Sequence, residues 1–412
     1  MNRFGKLLLP LLLLLCVGVP AEDGPLLSEK TYKALNEVHE LLGKEQYRQA
    51  ISRLQSLLAK VEGNRYESAV VLQTLGYAYS GAGKYKEAAG AFDRSLALNA
   101  LPEGVAHGLR YNAAQLHIYS GEYRKGLKHL TRWFRDEAKP PVESLVLAAT
   151  AHYQLKQYKS ASRYLQRAIR ASRHPREGWY QMLLACRLQL KQYKSALKVV
   201  RTMVRRYPSR REYWTQLVAL YQRNRQEGKA LATLELMRTG GMLDSDERLR
   251  LARMYLYLDL PWLAGRHLRQ SLASAALPAT HENWFLLAQS WLQAREKPLA
   301  VEALEKAVEA GPPDGSTHAL LGQLLVDLER WREAVPVLAE ALRRGGLKHP
   351  ALTRFLYGLA LYHSGDPDQA VRELRLASND KSLHDQAQWW LQYISDRRAN
   401  AISEPGETEQ KG

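Results

Sequence analysis

Small and bulky apolar positions recur along this chain with a long, fixed period. The heptapeptide Leu-Lys-Gln-Tyr-Lys-Ser-Ala occupies 155–161 and returns unchanged at 190–196, a spacing of 35 residues. The same frame places repeats near Thr31, Ala69, His107, Val142, Glu177, Arg211, Ser245, His281, Gly315 and Ala351, 34 to 38 residues apart. Self-similarity at such a period marks stacked supersecondary units. The twentieth position of the frame reads Ala50, Ala88, Gly126, Ala161, Ala196, Ala230, Ala264, Ala300, Ala334 and Ala370. Four residues later the column is bulky: Leu54, Phe92, Leu130, Leu165, Val200, Leu234, Leu268, Leu304, Leu338 and Leu374. This pair of columns predicts two helices per repeat, crossing closely at the small residue and filling the core with the large one.

Turn chemistry agrees. Gly81-Ala82-Gly83-Lys84, Ser120-Gly121-Glu122 and Ser364-Gly365-Asp366-Pro367 fall between the two predicted helices of a repeat, where Gly ends one helix and Pro or an acid opens the next. Pro102, Pro140-Pro141, Pro175, Pro208, Pro278, Pro312-Pro313 and Pro350 fall between repeats, because Pro cannot continue a helix. Hydrophobic residues make up 46% of the 412 positions, enough for helices throughout. One hairpin buries too little to fold alone, so stacking must complete a continuous core. The predicted architecture is all-α: a solenoid over 31–381, preceded by a linker at 22–30. A capping helix over 382–400 carries Trp389, Trp390 and Leu391. That Trp pair is expected to pack on the tenth repeat, a ligand cage being the alternative. A polar tail at 401–412 is expected to be disordered.

The order of hydrophobic, turn and Pro positions resembles the tetratricopeptide repeat, most fully in the second unit: Leu75-Gly76, Tyr79, Gly83, Tyr85, Ala88, Phe92 and Pro102. The resemblance implies a right-handed α-solenoid that binds other proteins.

The first 21 residues carry Arg3 and Lys6, an apolar run from Leu7 to Val19, and Val19-Pro20-Ala21. This pattern predicts a cleaved secretory signal and a periplasmic mature protein. The alternatives are an uncleaved N-terminal anchor facing the periplasm and, less well matched because Leu15 precedes Cys16, a lipoprotein. Cys186 is the one cysteine left in the mature chain, and its position on the packed side of a helix predicts a small buried hydrophobe.

Formal charge is +17, or +15 once Arg3 and Lys6 are removed. The distribution matters more. From Val142 to Arg211 there are 16 Lys and Arg against Glu143 and Glu177, whereas from Ser245 onward 20 bases meet 22 acids. Lys159, Arg163, Arg167, Arg170 and Arg173 follow one predicted helix, and Lys194, Lys198, Arg201 and Arg205 follow another. Both stripes avoid the core columns and should face outward. Charged helix faces are ordinarily just solvated, but they usually mix signs. An unmixed stripe points to an anionic partner: an acidic protein, phospholipid head groups or another envelope polyanion. Export argues against nucleic acid.

The first helices of a curved stack line its inner face, which binds extended or helical peptides in such solenoids. Positions two, five, nine and twelve of the frame should point inward. They include Gln73, Tyr77, Tyr111, Gln115, Ile118, Tyr153 and Gln181. Tyr and Gln offer contact area and hydrogen bonds without a charge to desolvate.

Catalytic chemistry is not legible. None of the 12 His lies in a His-Glu-x-x-His or Cys-x-x-Cys setting, and neither a phosphate-binding Gly-rich loop nor a Gly-x-Ser-x-Gly elbow occurs. His117 and His152, at the eleventh position, are expected to be packing residues. No catalytic residue, metal site, cofactor or small-molecule substrate is expected, and an enzyme is not.

A narrower resemblance rests on Tyr111-Asn112-Ala113-Ala114-Gln115-Leu116, Trp179-Tyr180-Gln181-Met182-Leu183-Leu184 and Arg211-Glu212-Tyr213-Trp214-Thr215-Gln216-Leu217. With the signal and the length, these segments resemble the periplasmic repeat proteins encoded beside TonB, ExbB and ExbD. That likeness implies an accessory to energy-dependent outer-membrane transport. A scaffold for cell-wall or outer-membrane assembly is the alternative.

Overall fold

The computed structural model describes residues 26–312 and 314–403. The signal expected at 1–21 and residues 404–412 of the expected tail lie outside the described residues. Helices pair in sequence: α1 (Glu29–Gly43) with α2 (Tyr47–Lys60), α3 (Arg65–Gly81) with α4 (Tyr85–Ala97), α5 (Glu103–Tyr119) with α6 (Tyr123–Asp136), α7 (Val142–Gln154) with α8 (Tyr158–Ala171), and α9 (Glu177–Gln189) with α10 (Tyr193–Arg206). These five hairpins form one compact unit, ending at Tyr207. The second unit holds α11 (Arg211–Arg223) with α12 (Glu227–Thr239), α13 (Ser245–Tyr257) with α14 (Pro261–Ala273), α15 (His281–Gln293) with α16 (Lys297–Glu309), α17 (Ser316–Asp327) with α18 (Trp331–Arg344), and α19 (Pro350–His363) with α20 (Pro367–Ala377). It ends in α21 (His384–Ser403). Among the described residues there is no strand, and no helix is long and apolar enough to cross a membrane.

Each unit is an α-solenoid of helical hairpins, built as the two columns require. All nine alanines of the small column are fully buried, and every member of the bulky column is at most 1% exposed. Gly126 is the exception that explains itself: a Cβ there would come within 2.4 Å of Ile118 Cγ1. The third hairpin has moved bulk from α6 to α5. Gly76 works the other way, since a Cβ on it would meet the Phe92 ring at 2.3 Å.

The ten hairpin turns share one backbone solution. Each has a single residue in the left-handed region: Glu45, Gly83, Gly121, Lys156, Lys191, Arg225, Asp259, Arg295, Glu329 and Gly365. The next residue's N–H reaches back to the carbonyl five residues earlier, as in Gln46 to Leu41 and Gln157 to His152, which is how a Schellman stop satisfies the last carbonyls of a helix. Three turns use Gly and seven tolerate the strain, so Gly alone marks fewer than half of them.

In the second unit the hydrophobic core runs from Ala252 to Ile394 and takes in Leu383, Ala387 and Ile394, so α21 closes its end. The cap differs from expectation in one respect. Trp390 and Leu391 pack against that core, but Trp389 is 60% exposed. The helical period explains it. Ala387, Trp390 or Leu391, and Ile394 share one face, and Trp389 falls outside it, stacked on Tyr393 at 5.4 Å. The cap also continues to Ser403, past the expected limit at 400, while Glu29 and Lys30, assigned to the linker, already belong to α1.

Candidate binding surfaces

First helices approach one another directly, α1 with α3, α5 with α7 and α17 with α19, and no pair of second helices does so as closely. The residues expected to line a groove all lie on first helices, and most keep part of their surface open. Gln73, Tyr77, Tyr111, Gln115 and Tyr153 are half-buried, and Gln181 is exposed. Tyr77 lies edge-on to Phe92 at 5.1 Å, and its hydroxyl accepts a hydrogen bond from Asn112 Nδ2 at 3.2 Å, joining α3 to α5. Tyr111 stacks on Trp133 at 4.8 Å. Burial pushes the hydroxyls of Tyr111 and Tyr153 up from their ordinary pKa, so both stay neutral donors. Ile118 does not belong to this face. It is 6% exposed and fills the gap beside Gly126 inside the hairpin.

On the second helices, Lys159, Arg163, Arg167 and Arg170 on α8 and Lys194, Lys198, Arg201 and Arg205 on α10 are all exposed. Arg173 is exposed too, but it follows the end of α8 at Ala171 rather than continuing the helical stripe. None of these nine cations pairs with a carboxylate among the described residues. Arg167 lies over the Tyr164 ring at 5.8 Å. The contrast is with cations such as Lys297 on Asp327, Arg330 on Glu333, and Arg343 with Arg344 on Glu340. Cys186 is fully buried and burial raises its thiol pKa, in keeping with a packing role.

The structure also brings together three groups that sequence reasoning left apart. Asp93 of α4 sits between two imidazoles, His117 Nε2 on Oδ2 at 3.0 Å and His129 Nε2 on Oδ1 at 2.7 Å. The two rings are stacked, 5.6 Å between centroids and 8° from parallel. His117 is 1% exposed. Its Nδ1 meets Glu122 Oε2 at 2.8 Å, and Glu122 accepts from Lys125 at 3.0 Å. Burial opposes charge on His117 and on Asp93, yet the hydrogen bonds prevail. The ring and its carboxylates hold one another charged: the His117 pKa is raised, and Asp93 lies well below the carboxylate range. The repeat frame holds a signal for the two histidines, though not for Asp93. Position eleven of a first helix meets position twenty-three of its partner, as His152 with Tyr164 and Tyr255 with His267 also do.

Two models described as tetratricopeptide repeat match the sequence, one over 249–315 and 320–382 and the other over 142–175. These segments carry tetratricopeptide repeats. These matches fall on the fourth hairpin and on the seventh to tenth. No curated protein matches the sequence. Similar solved structures include a tetratricopeptide repeat protein from Parabacteroides merdae ATCC 43184, 15% identical with a TM-score of 0.35, covering 72% of this chain and 98% of that one. YrrB, described as a tetratricopeptide protein with an unusual peptide-binding site, is 18% identical with a TM-score of 0.33, covering 43% and 88%. MamA from Desulfovibrio magneticus RS-1 is 18% identical with a TM-score of 0.31, covering 40% and 92%.

Proposed function

We propose that this tetratricopeptide protein is an exported, non-catalytic scaffold of the cell envelope. In this reading it docks partner proteins as an accessory to a TonB-type outer-membrane transport system. The leader-like first 21 residues support export, and the segments at 111–116, 179–184 and 211–217 support the transport association. The observation that carries partner docking is the unpaired basic surface of α8 and α10, where cations stand on adjacent hairpins without a carboxylate to neutralise them. Leaving such a field uncompensated costs self-repulsion and is repaid when an anionic surface arrives.

The partner is an acidic protein surface, and the test reverses four of the charges. Arg163, Arg167, Lys194 and Lys198 are exposed, so changing all four to Glu leaves the melting temperature nearly unchanged. Association with partners crosslinked in intact envelopes falls in the variant. Wild-type association also falls as salt rises, because exposed charges are screened over about 10 Å at 0.1 M. Recovery indifferent to both changes contradicts docking through this surface, and binding to anionic vesicles alone reassigns it to lipid.

A further inference from the structure

Two imidazoles and a carboxylate from three helices of successive hairpins converge on one point, which packing alone does not require. We propose that Asp93, His117 and His129 bind a divalent transition-metal ion, with Zn2+ the best match to the donor set and Glu122 orienting His117. All three donor atoms lie within 4.8 Å of one another. Zn2+ takes His nitrogen and carboxylate oxygen at about 2.0–2.2 Å in a tetrahedral shell, which sets donors roughly 3.3 Å apart. The present separations of Asp93 from the two imidazoles are 3.0 and 2.7 Å. Admitting the ion therefore takes an opening of a few tenths of an ångström between Asp93 and each imidazole, and a closing of the widest pair of donors, which lie up to 4.8 Å apart, by up to about 1.5 Å, through rotation of the partly exposed Asp93 and His129 side chains.

The protonation chemistry is consistent with exchange. His117 faces a carboxylate with each nitrogen, and only a doubly protonated ring can donate to both. An ion replaces the proton on Nε2 and leaves Nδ1–H donating to Glu122. That carboxylate–imidazole–metal relay fixes ring orientation and strengthens the ligand. Three protein ligands leave a fourth position, and the side chains of Asp93 and His129, 34% and 18% exposed, open it to solvent or to a group from a partner. Imidazole with carboxylate suits Zn2+ and its first-row neighbours rather than Ca2+ or Mg2+, which prefer all-oxygen sites. A bound ion would tie α4 to α5 and α6 and so lock the second hairpin to the third.

The test uses the tag-free protein after dialysis against a chelator. Calorimetric titration with Zn2+ gives one ion per chain, and Co2+ gives the visible absorption of a tetrahedral nitrogen and oxygen site. Zn2+ at a hundredfold excess over its dissociation constant raises the melting temperature by roughly 5 °C or more. His129→Gln and Asp93→Asn, both at partly exposed positions, keep the metal-free fold by circular dichroism and lose the Co2+ absorption. Glu122→Gln weakens Zn2+ binding by about 10- to 100-fold. Absence of Zn2+ binding by the wild type overturns the proposal. So does equal binding by His129→Gln and Asp93→Asn, which would put the ion elsewhere and leave the cluster a set of ion pairs.

Discussion

Glu67 anchors the start of the first unit with one carboxylate. Its Oε1 accepts from the Ser28 backbone N–H at 2.7 Å and its Oε2 from the Thr31 hydroxyl at 2.8 Å, so α3 holds the first turn of α1. Burial works against the charge, but these hydrogen bonds outweigh it and depress the pKa below the ordinary 4.5. A carboxyl with a depressed folded pKa adds stability above its unfolded value and loses it as pH falls through the folded one. Glu67→Gln presents an amide donor where an acceptor is needed. It is expected to cost about 1–2 kcal/mol at pH 7, and the gap from wild type should narrow below about pH 4. Urea melts of both proteins at pH 7 and pH 3.5 check this. Equal stability at pH 7, or a gap independent of pH, contradicts the assigned role. The same device recurs in the second unit, where Thr215 of α11 donates to Glu247 of α13 at 2.5 Å.

At the scale of the hairpin, the third repeat tests whether the small column is a packing rule. Gly126→Ala restores the column's alanine but drives its Cβ toward Ile118, and overpacking of that kind costs about 1–3 kcal/mol. In an Ile118→Ala background the closest clash is removed, leaving only the 3.0 Å approach to the Ala114 carbonyl oxygen, and the same change should cost less, a coupling of about 0.5–3 kcal/mol. A double-mutant cycle measured by denaturant unfolding reads it directly, and additive effects would mean that the two residues do not share the space.

Hairpin number, helix order and the core columns are all legible in the sequence, because a helix crossing constrains residue size in the same way ten times. The surfaces are less so. The repeat frame puts Ile118 on the inner face, where its position points on average, but the substitution at Gly126 pulls it into the core. Residue type alone assigns Trp389 to packing, although the phase of α21 turns it outward. His117 and His129 come together only when positions are paired across a hairpin, and Asp93 enters from the preceding hairpin. That last contact depends on how hairpins stack, which a within-repeat frame does not contain.

For the molecule as a whole, the proposed scaffold presents two binding surfaces, the basic stretch of α8 and α10 and the first-helix side. Photo-crosslinking in the native cell tests the second whatever the partner's identity. A benzophenone amino acid placed singly at Gln73, Tyr111 or Gln181 reports on the groove. Placed at Lys86 or Arg124, exposed on second helices, it serves as the control. Discrete covalent adducts that share a partner are expected from the groove positions, and none of them from the controls. Groove positions that yield no adduct in a folded, stably produced protein, or the same adducts from groove and control alike, would contradict binding on the first-helix side.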